Sequence, residues 1–137
     1  MHATIARRHR SCVLSCVLRR RPPPAAAFGL AAQAERYLGM TAAQLGLPRS
    51  LWCADFMNML LGRTGASRQA LDYRSYGTPA APGCTDCIAV LISRRWHVGV
   101  VKGYDANGNP IIISGNHGHI VNVGTYQKWR VKFYRTP

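Results

Sequence analysis

The sequence predicts an α+β domain, with N-terminal helices packed on an antiparallel β-meander of about five strands. Three observations carry this. Between residues 25 and 76 the chain reads as a series of capped, glycine-stopped helical segments. From residue 88 onward it breaks into short runs rich in Val and Ile, separated by turn residues. Helices come first and strands follow, which is the order of an α+β fold. The 137 residues are 47% hydrophobic, enough for one domain with a real core, and no internal repeat divides them.

Residues 1–27 are expected to form a basic N-terminal segment, leaving 28–137 as the folded domain. The apolar stretch from Cys12 to Leu18 is too short to span a bilayer, and Pro22-Pro23-Pro24 follows it. A weak export signal can be read in Arg19-Arg20-Arg21, the apolar residues 25–32 and the small-residue site Ala32-Gln33-Ala34. Residues 25–39 are Ala-rich and read as a helix ending at Gly39. Thr41 is placed to cap a short helix that stops at Gly46-Leu47-Pro48. Ser50 is placed to cap the apolar run from Leu51 to Leu61, closed by Gly62 and Gly65. Ser67 is placed to cap another short helix, and Gly77-Thr78-Pro79 with Ala81-Pro82-Gly83 reads as a loop. The expected strands are 88–92, 97–103, 111–114, 120–125 and 129–134, with Asp105-Ala106-Asn107-Gly108 turning the second into the third.

Charge narrows the partners. Eighteen Lys and Arg against five acids give a formal charge of +13. Six of the basic residues lie in 1–27, so the folded part is basic without them. Such a protein is drawn to polyanions: nucleic acid, acidic lipid or an anionic cell envelope. The scarcity of acids argues against a two-carboxylate glycosidase, because Glu35, Asp55, Asp72, Asp86 and Asp105 show no spacing that pairs them. Cys12 and Cys16 with Cys84 and Cys87 would make a four-thiolate zinc site, but 68 positions separate the pairs and no His stands at finger spacing. Cys84-x-x-Cys87 reads instead as a turn before a strand, closed by a local disulfide where the compartment is oxidising. No metal and no cofactor is expected.

Cys53 is the cysteine left over. At a helix N-terminus the dipole favours negative charge, so a thiol there is expected to ionise readily. A four-residue loop over 105–108 would pair residue 104 with 109 and set His97 opposite Asn116; a two-residue Asn-Gly turn would set His97 opposite Gly118. Alternation puts His97, Gly99 and Val101 on one face and Ile112, Ser114 and Asn116 opposite them. Gly99 then leaves room beside the imidazole, with the Cys53 helix as the element to enter. These are the parts of a thiol hydrolase: Cys53 attacks a carbonyl, His97 carries the proton, and the Asn116 amide orients the ring. The Cys53 backbone N–H is placed to help hold the oxyanion. The plain readings are a core histidine at 97, loop histidines at 117 and 119 with His117 also able to line the cleft, cleft or core walls at Trp52 and Trp96, and Asp55 and Asn58 facing solvent or capping locally.

In order and spacing, WCADFMNMLL, ALDYRSYGTP, WHVGVV, SGN with a later Tyr, and a closing Tyr-Arg-x-Pro resemble the papain-like peptidoglycan hydrolases of the NlpC and CHAP (cysteine, histidine-dependent amidohydrolase/peptidase) type. The resemblance covers about residues 30–137. It implies a papain-like fold, with Cys53 as nucleophile, His97 as base and Asn116 as third polar residue. The chain departs from the pattern in carrying Cys84-Thr85-Asp86-Cys87 where Pro-Gly-Asp is usual, and Ser114 where many CHAP members have glutamate. The segment ahead of the nucleophile is also short.

The function expected on this resemblance is a monomeric cysteine peptidase or amidase, acting on peptidoglycan stem peptides in the periplasm or cell envelope. Its positive charge would hold it to the anionic envelope. The alternatives are a basic nucleic-acid-binding module and an inactive hydrolase fold that binds cell wall. The chain has no recognition helix, nor aromatic residues interleaved with basic ones, so no specific nucleic acid is expected. No transmembrane segment is expected either.

Overall fold

The computed structural model describes residues 29–137. The basic segment 1–27, the arginines of the export signal and Cys12 and Cys16 of the zinc alternative lie outside the described residues, while the small-residue site Ala32-Gln33-Ala34 lies within the first described helix. Three short helices precede a six-stranded antiparallel sheet, so the domain is α+β.

Of the helix expected over 25–39, residues 25–28 lie outside the described residues, and α1 (Leu30–Glu35) ends before Gly39. Only Leu30, Ala31 and Ala34 are buried, and the helix persists only over the turn that packs. Asp86 caps it from 55 residues away: its Oδ1 accepts from the Ala31 N–H at 2.9 Å. Helix α2 (Ala42–Leu45) has the expected Thr41 cap, which forms a full capping box with Gln44, and ends at left-handed Gly46. Helix α3 (Cys53–Leu61) departs from expectation at its start. Ser50 does not cap it; Trp52 holds the cap position with no side-chain bond. The Ser50 carbonyl instead accepts from Arg68 Nη2 at 3.1 Å, and Leu51 turns the chain at φ +48°. The helix ends at Gly62, φ +66°, where the Arg63 N–H reaches back to the Asn58 carbonyl. The next segment is a 3₁₀ turn, Ala70–Ser75, and Ser67 does not cap it directly. The Ser67 hydroxyl accepts from the Gln69 N–H and donates to Asp72.

The strands are β1 (Thr78–Pro79), β2 (Ile88–Ser93), β3 (Arg95–Tyr104), β4 (Pro110–His117), β5 (Ile120–Thr125) and β6 (Val131–Thr136), in sheet order β1-β6-β2-β3-β4-β5. Only β2 to β5 form the expected meander. The last strand returns to the far edge and pairs with β2, and the expected loop at Thr78-Pro79 supplies a sixth strand beside it. Four strand spacings separate β5 from β6, roughly 19 Å across a flat sheet. The link from Thr125 to Val131 contains a 3₁₀ turn, Lys128–Arg130.

Strand alternation splits the core in two. Ile88, Val90, Val98, Val100 and Ile113 meet Trp52, Phe56, Met57 and Tyr73 on the helix side. Cys87, Ala89, Leu91, Val101 and Ile112 fill the other face, rimmed by Tyr104, Tyr126, Val131 and Tyr134. Gly115 sets how closely α3 can approach: a Cβ there would lie 2.7 Å from Phe56 Cβ and 2.8 Å from the Trp52 ring. Gly99, expected to admit the helix, instead faces Ile112, Ile113 and Ser114 of the neighbouring strand.

The β3–β4 turn differs from both expected forms. Tyr104 pairs with Pro110, leaving five residues in the loop, and a bulge at Lys102 then restores Val101 to Ile112 and Val100 to Ile113. The two irregularities offset each other. Pairing ends at Val100 and Ile113, so His97 and Asn116 lie beyond the ladder; counted on at the same offset, position 97 would fall level with 116.

Candidate active site

Cys53 is the first residue of α3 and is only 6% exposed. Burial pushes its thiol above the usual value, against the pull of the backbone N–H groups of Val98, Ala54 and Cys53 itself; the Asp55 charge adds to the rise. The readily ionised thiol expected at a helix N-terminus is therefore not found. Desolvation of a buried sulfur outweighs the dipole of one short helix.

His97 lies near the start of β3, and its Nε2 shares a 2.8 Å hydrogen bond with Ser114 Oγ. Burial, and secondly the charge of His117, push the imidazole down to about 4. Tyr126 lies beside both imidazoles, its ring centroid 6.2 Å from that of His97 and 6.0 Å from that of His117. Burial raises the Tyr126 hydroxyl, the Ser114 side chain lowers it, and Cys53 raises it again; Tyr126 and Cys53 line the same cavity. His117 Nδ1 is buried with no hydrogen-bond partner.

Cys53, His97 and Asn116 all line one cavity of about 530 Å³, with Arg68, Trp96, His117 and Tyr126 among its other walls. A thiol and an imidazole from opposite halves of the chain thus share one solvent space. No hydrogen bond joins the sulfur to the ring among the described residues. Nor does Asn116 hold His97 as expected: the ring bonds to Ser114, and Asn116 sits at φ +56° where the β4–β5 register shifts. Alternation placed both residues on the correct side of β4 but did not say which would reach.

Asp55 and Asn58 are buried, not solvent-facing. Asp55 takes a fork of hydrogen bonds from Arg68 at 2.9–3.1 Å, which ties the loop after α3 to the start of that helix. Asn58 accepts from the Tyr73 hydroxyl and donates to the Ser67 carbonyl. Every acid in the chain has a structural partner: Glu35 on Lys102, Asp55 on Arg68, Asp72 on Ser67, Asp86 on Ala31, Asp105 on its own turn. Trp52 is core and Trp96 is a cavity wall. Ser114 and Tyr126 are the site residues the sequence reading left without a role. The available signal was the resemblance, in which many CHAP enzymes have glutamate where this chain has Ser114.

Cys84 and Cys87 form the local disulfide. Among the described residues, no group of three or more His, Cys, Asp or Glu is gathered to hold a metal ion. No helix among them is long and apolar enough to cross a membrane. No protein-family model matches the chain, and no curated protein matches it either.

Proposed function

We propose that this chain is a papain-like cysteine hydrolase that cuts amide or peptide bonds in the stem peptides of bacterial peptidoglycan. One observation carries the reading: a helix-terminal Cys53 and a Ser114-held His97 open into the same cavity. With Nε2 engaged by Ser114, His97 keeps Nδ1 to accept the thiol proton; Nε2 then bears the ring hydrogen and donates it to Ser114.

The resting pair is neutral, a raised thiol beside a lowered imidazole. The proton leaves sulfur as Cys53 attacks the carbonyl, and His97 returns it to the departing amine. Backbone N–H groups at the start of α3 face the developing oxyanion. The +13 charge holds the enzyme against an anionic envelope, and the Cys84–Cys87 disulfide suits an oxidising compartment such as the periplasm.

The test is digestion of purified cell wall with mass analysis of the soluble fragments. The native protein releases stem-peptide fragments, whereas folded Cys53→Ala and His97→Ala release none. Full activity in both variants ends the proposal. A second reading, an inactive hydrolase fold that only binds wall, is favoured by the 6% exposure of Cys53. It predicts no fragments from the native protein, and equal co-sedimentation of native and Cys53→Ala protein with wall.

A further inference from the structure

Helix α1 has little of its own to hold its start. Six residues are too few to persist alone. Its N-cap, Gly29, has no side chain to offer, and no acid stands in its first turn. The missing group comes from the loop that opens β2. Asp86 Oδ1 accepts from the Ala31 N–H at 2.9 Å, which sets a carboxylate at the positive end of the helix. The fit is close: a Cβ at Gly29 would lie 2.6 Å from both Asp86 oxygens. Docked, α1 seats Leu30, Ala31 and Ala34 in the core that holds Trp52, Cys53 and Phe56. Glu35, at its far end, meets Lys102 Nζ at 2.8 Å.

Asp86 stands inside the loop that the Cys84–Cys87 disulfide closes. Its backbone is left-handed, at φ +59°, a conformation that an L residue keeps where its surroundings fix it. Hydrogen bonds fix the two ends of the loop. Tyr104 Oη donates to the Cys84 carbonyl and accepts from the Gly83 N–H, each at 2.9 Å. The Asp86 N–H donates to the Val101 carbonyl and the Val101 N–H to the Cys87 carbonyl, each at 2.9 Å. The disulfide fixes the path between those ends. It spans only three positions, so it takes little freedom from the unfolded chain. So short a cross-link acts where it sits, on the aim of Asp86. Cys87 is buried and Cys84 half-buried beside an exposed Thr85, so a thiol from solvent meets the Cys84 sulfur.

We propose that the Cys84–Cys87 disulfide is a redox clasp on α1: oxidised, it aims Asp86 at the Ala31 N–H and docks the helix; reduced, it releases both. The reductant is a dithiol. One of its thiolates attacks Cys84 Sγ, the S–S bond breaks, and the Cys87 sulfur leaves and takes up a proton. The second thiolate closes the reductant's own disulfide and frees Cys84 as a thiol, so two electrons and two protons pass to the protein. The Tyr37 ring, just past α1, stands edge-on to Phe56 of α3. An oxidising compartment therefore completes the packing behind the Cys53 helix, and a reducing one leaves it incomplete. The clasp does not rest on the hydrolase reading.

Hydrogen exchange of the full chain, read by mass spectrometry, tests it. Dithiothreitol, or Cys84→Ser with Cys87→Ser, speeds exchange over residues 29–38 roughly fivefold and leaves 98–101 and 112–113 protected as before. Asp86→Ala speeds it as much with the disulfide intact and gains nothing further on reduction. Asp86→Asn, which keeps an accepting oxygen, stays slow while oxidised. Three results overturn the clasp. One is equal exchange over 29–38 with and without the disulfide. Another is a rise of the same size throughout the sheet, which makes the cross-link a general stabiliser. The third is an oxidised Asp86→Ala protein whose α1 exchanges as slowly as the native helix.

Discussion

The β3–β4 hairpin has two ends built on opposite principles. At the turn the groups around Asp105 are paired: its carboxylate accepts from the Asn107 and Asn109 N–H groups and from Asn109 Nδ2, while Asn109 Oδ1 accepts from Lys128 N. At the other end the β3–β4 pairing stops at Val100 and Ile113. Beyond it Asn116 and His119 take left-handed backbone, and His117 Nδ1 is buried without a partner. A saturated end holds the register, while an end with unspent hydrogen-bonding capacity and strained backbone has something left for a ligand. The same two strands supply both.

The largest expected contrast is between His97→Ala and Asp105→Ala. The first lowers wall hydrolysis by roughly 10,000-fold or more and leaves the fold intact; the second lowers the melting temperature and leaves turnover unchanged. Comparable turnover in the two variants would erase the distinction between the ends.

Acid should separate them next. His97 has a folded pKa of about 4 against an ordinary 6.5, so between these values the unfolded chain binds the extra proton. Stability contributed by the neutral ring is full above pH 6.5 and falls as pH drops toward 4, by on the order of 3 kcal/mol. Asp105 works lower down. The Asn109 N–H above all holds its carboxylate below the usual range, helped by the Asn109 amide, the Asn107 N–H and Lys128. Its contribution is present above the ordinary carboxylate value and disappears only as pH falls through the depressed one. Denaturant titrations from pH 7 to 3 check this: His97→Gln should flatten the upper window, and Asp105→Asn only the lower.

Within the open end, Ser114→Ala should lower kcat by roughly 10- to 100-fold through loss of the bond that orients His97, and Asn116→Ala by less. The reverse order would return the orienting role to Asn116. The smallest effect is His117→Ala, which removes a neighbouring positive charge and moves the His97 titration upward, read by NMR of the ring protons.

Local chemistry was the most legible part. Thr41 and Gly46, Gly62 at the end of α3, and the runs after residue 88 form the elements expected of them, because caps, stops and β-branched alternation act within a few residues. Of the site, the sequence named three residues, Cys53, His97 and Asn116, that line one cavity; it did not name the partner of the ring. What misled was anything set at a distance. Ser50 was an available cap, but Arg68 took its carbonyl and the helix began three residues on. Asp55 looked like a surface acid until Arg68 arrived from 13 residues away. Cys53 carried the mark of an activated thiol, and the core around it reversed the sign.

By itself, then, the sequence determined the α+β class, most helix stops, the strand runs, the cationic character and the residue types able to do thiol chemistry. All of these follow from interactions between near neighbours or from composition alone. Only the tertiary structure decided that β6 returns beside β2, that Ser114 takes the His97 ring, and that burial pushes the Cys53 thiol up. Those outcomes depend on which groups lose water together. That is a property of surfaces brought into contact from distant parts of the chain, and spacing along the chain does not record it.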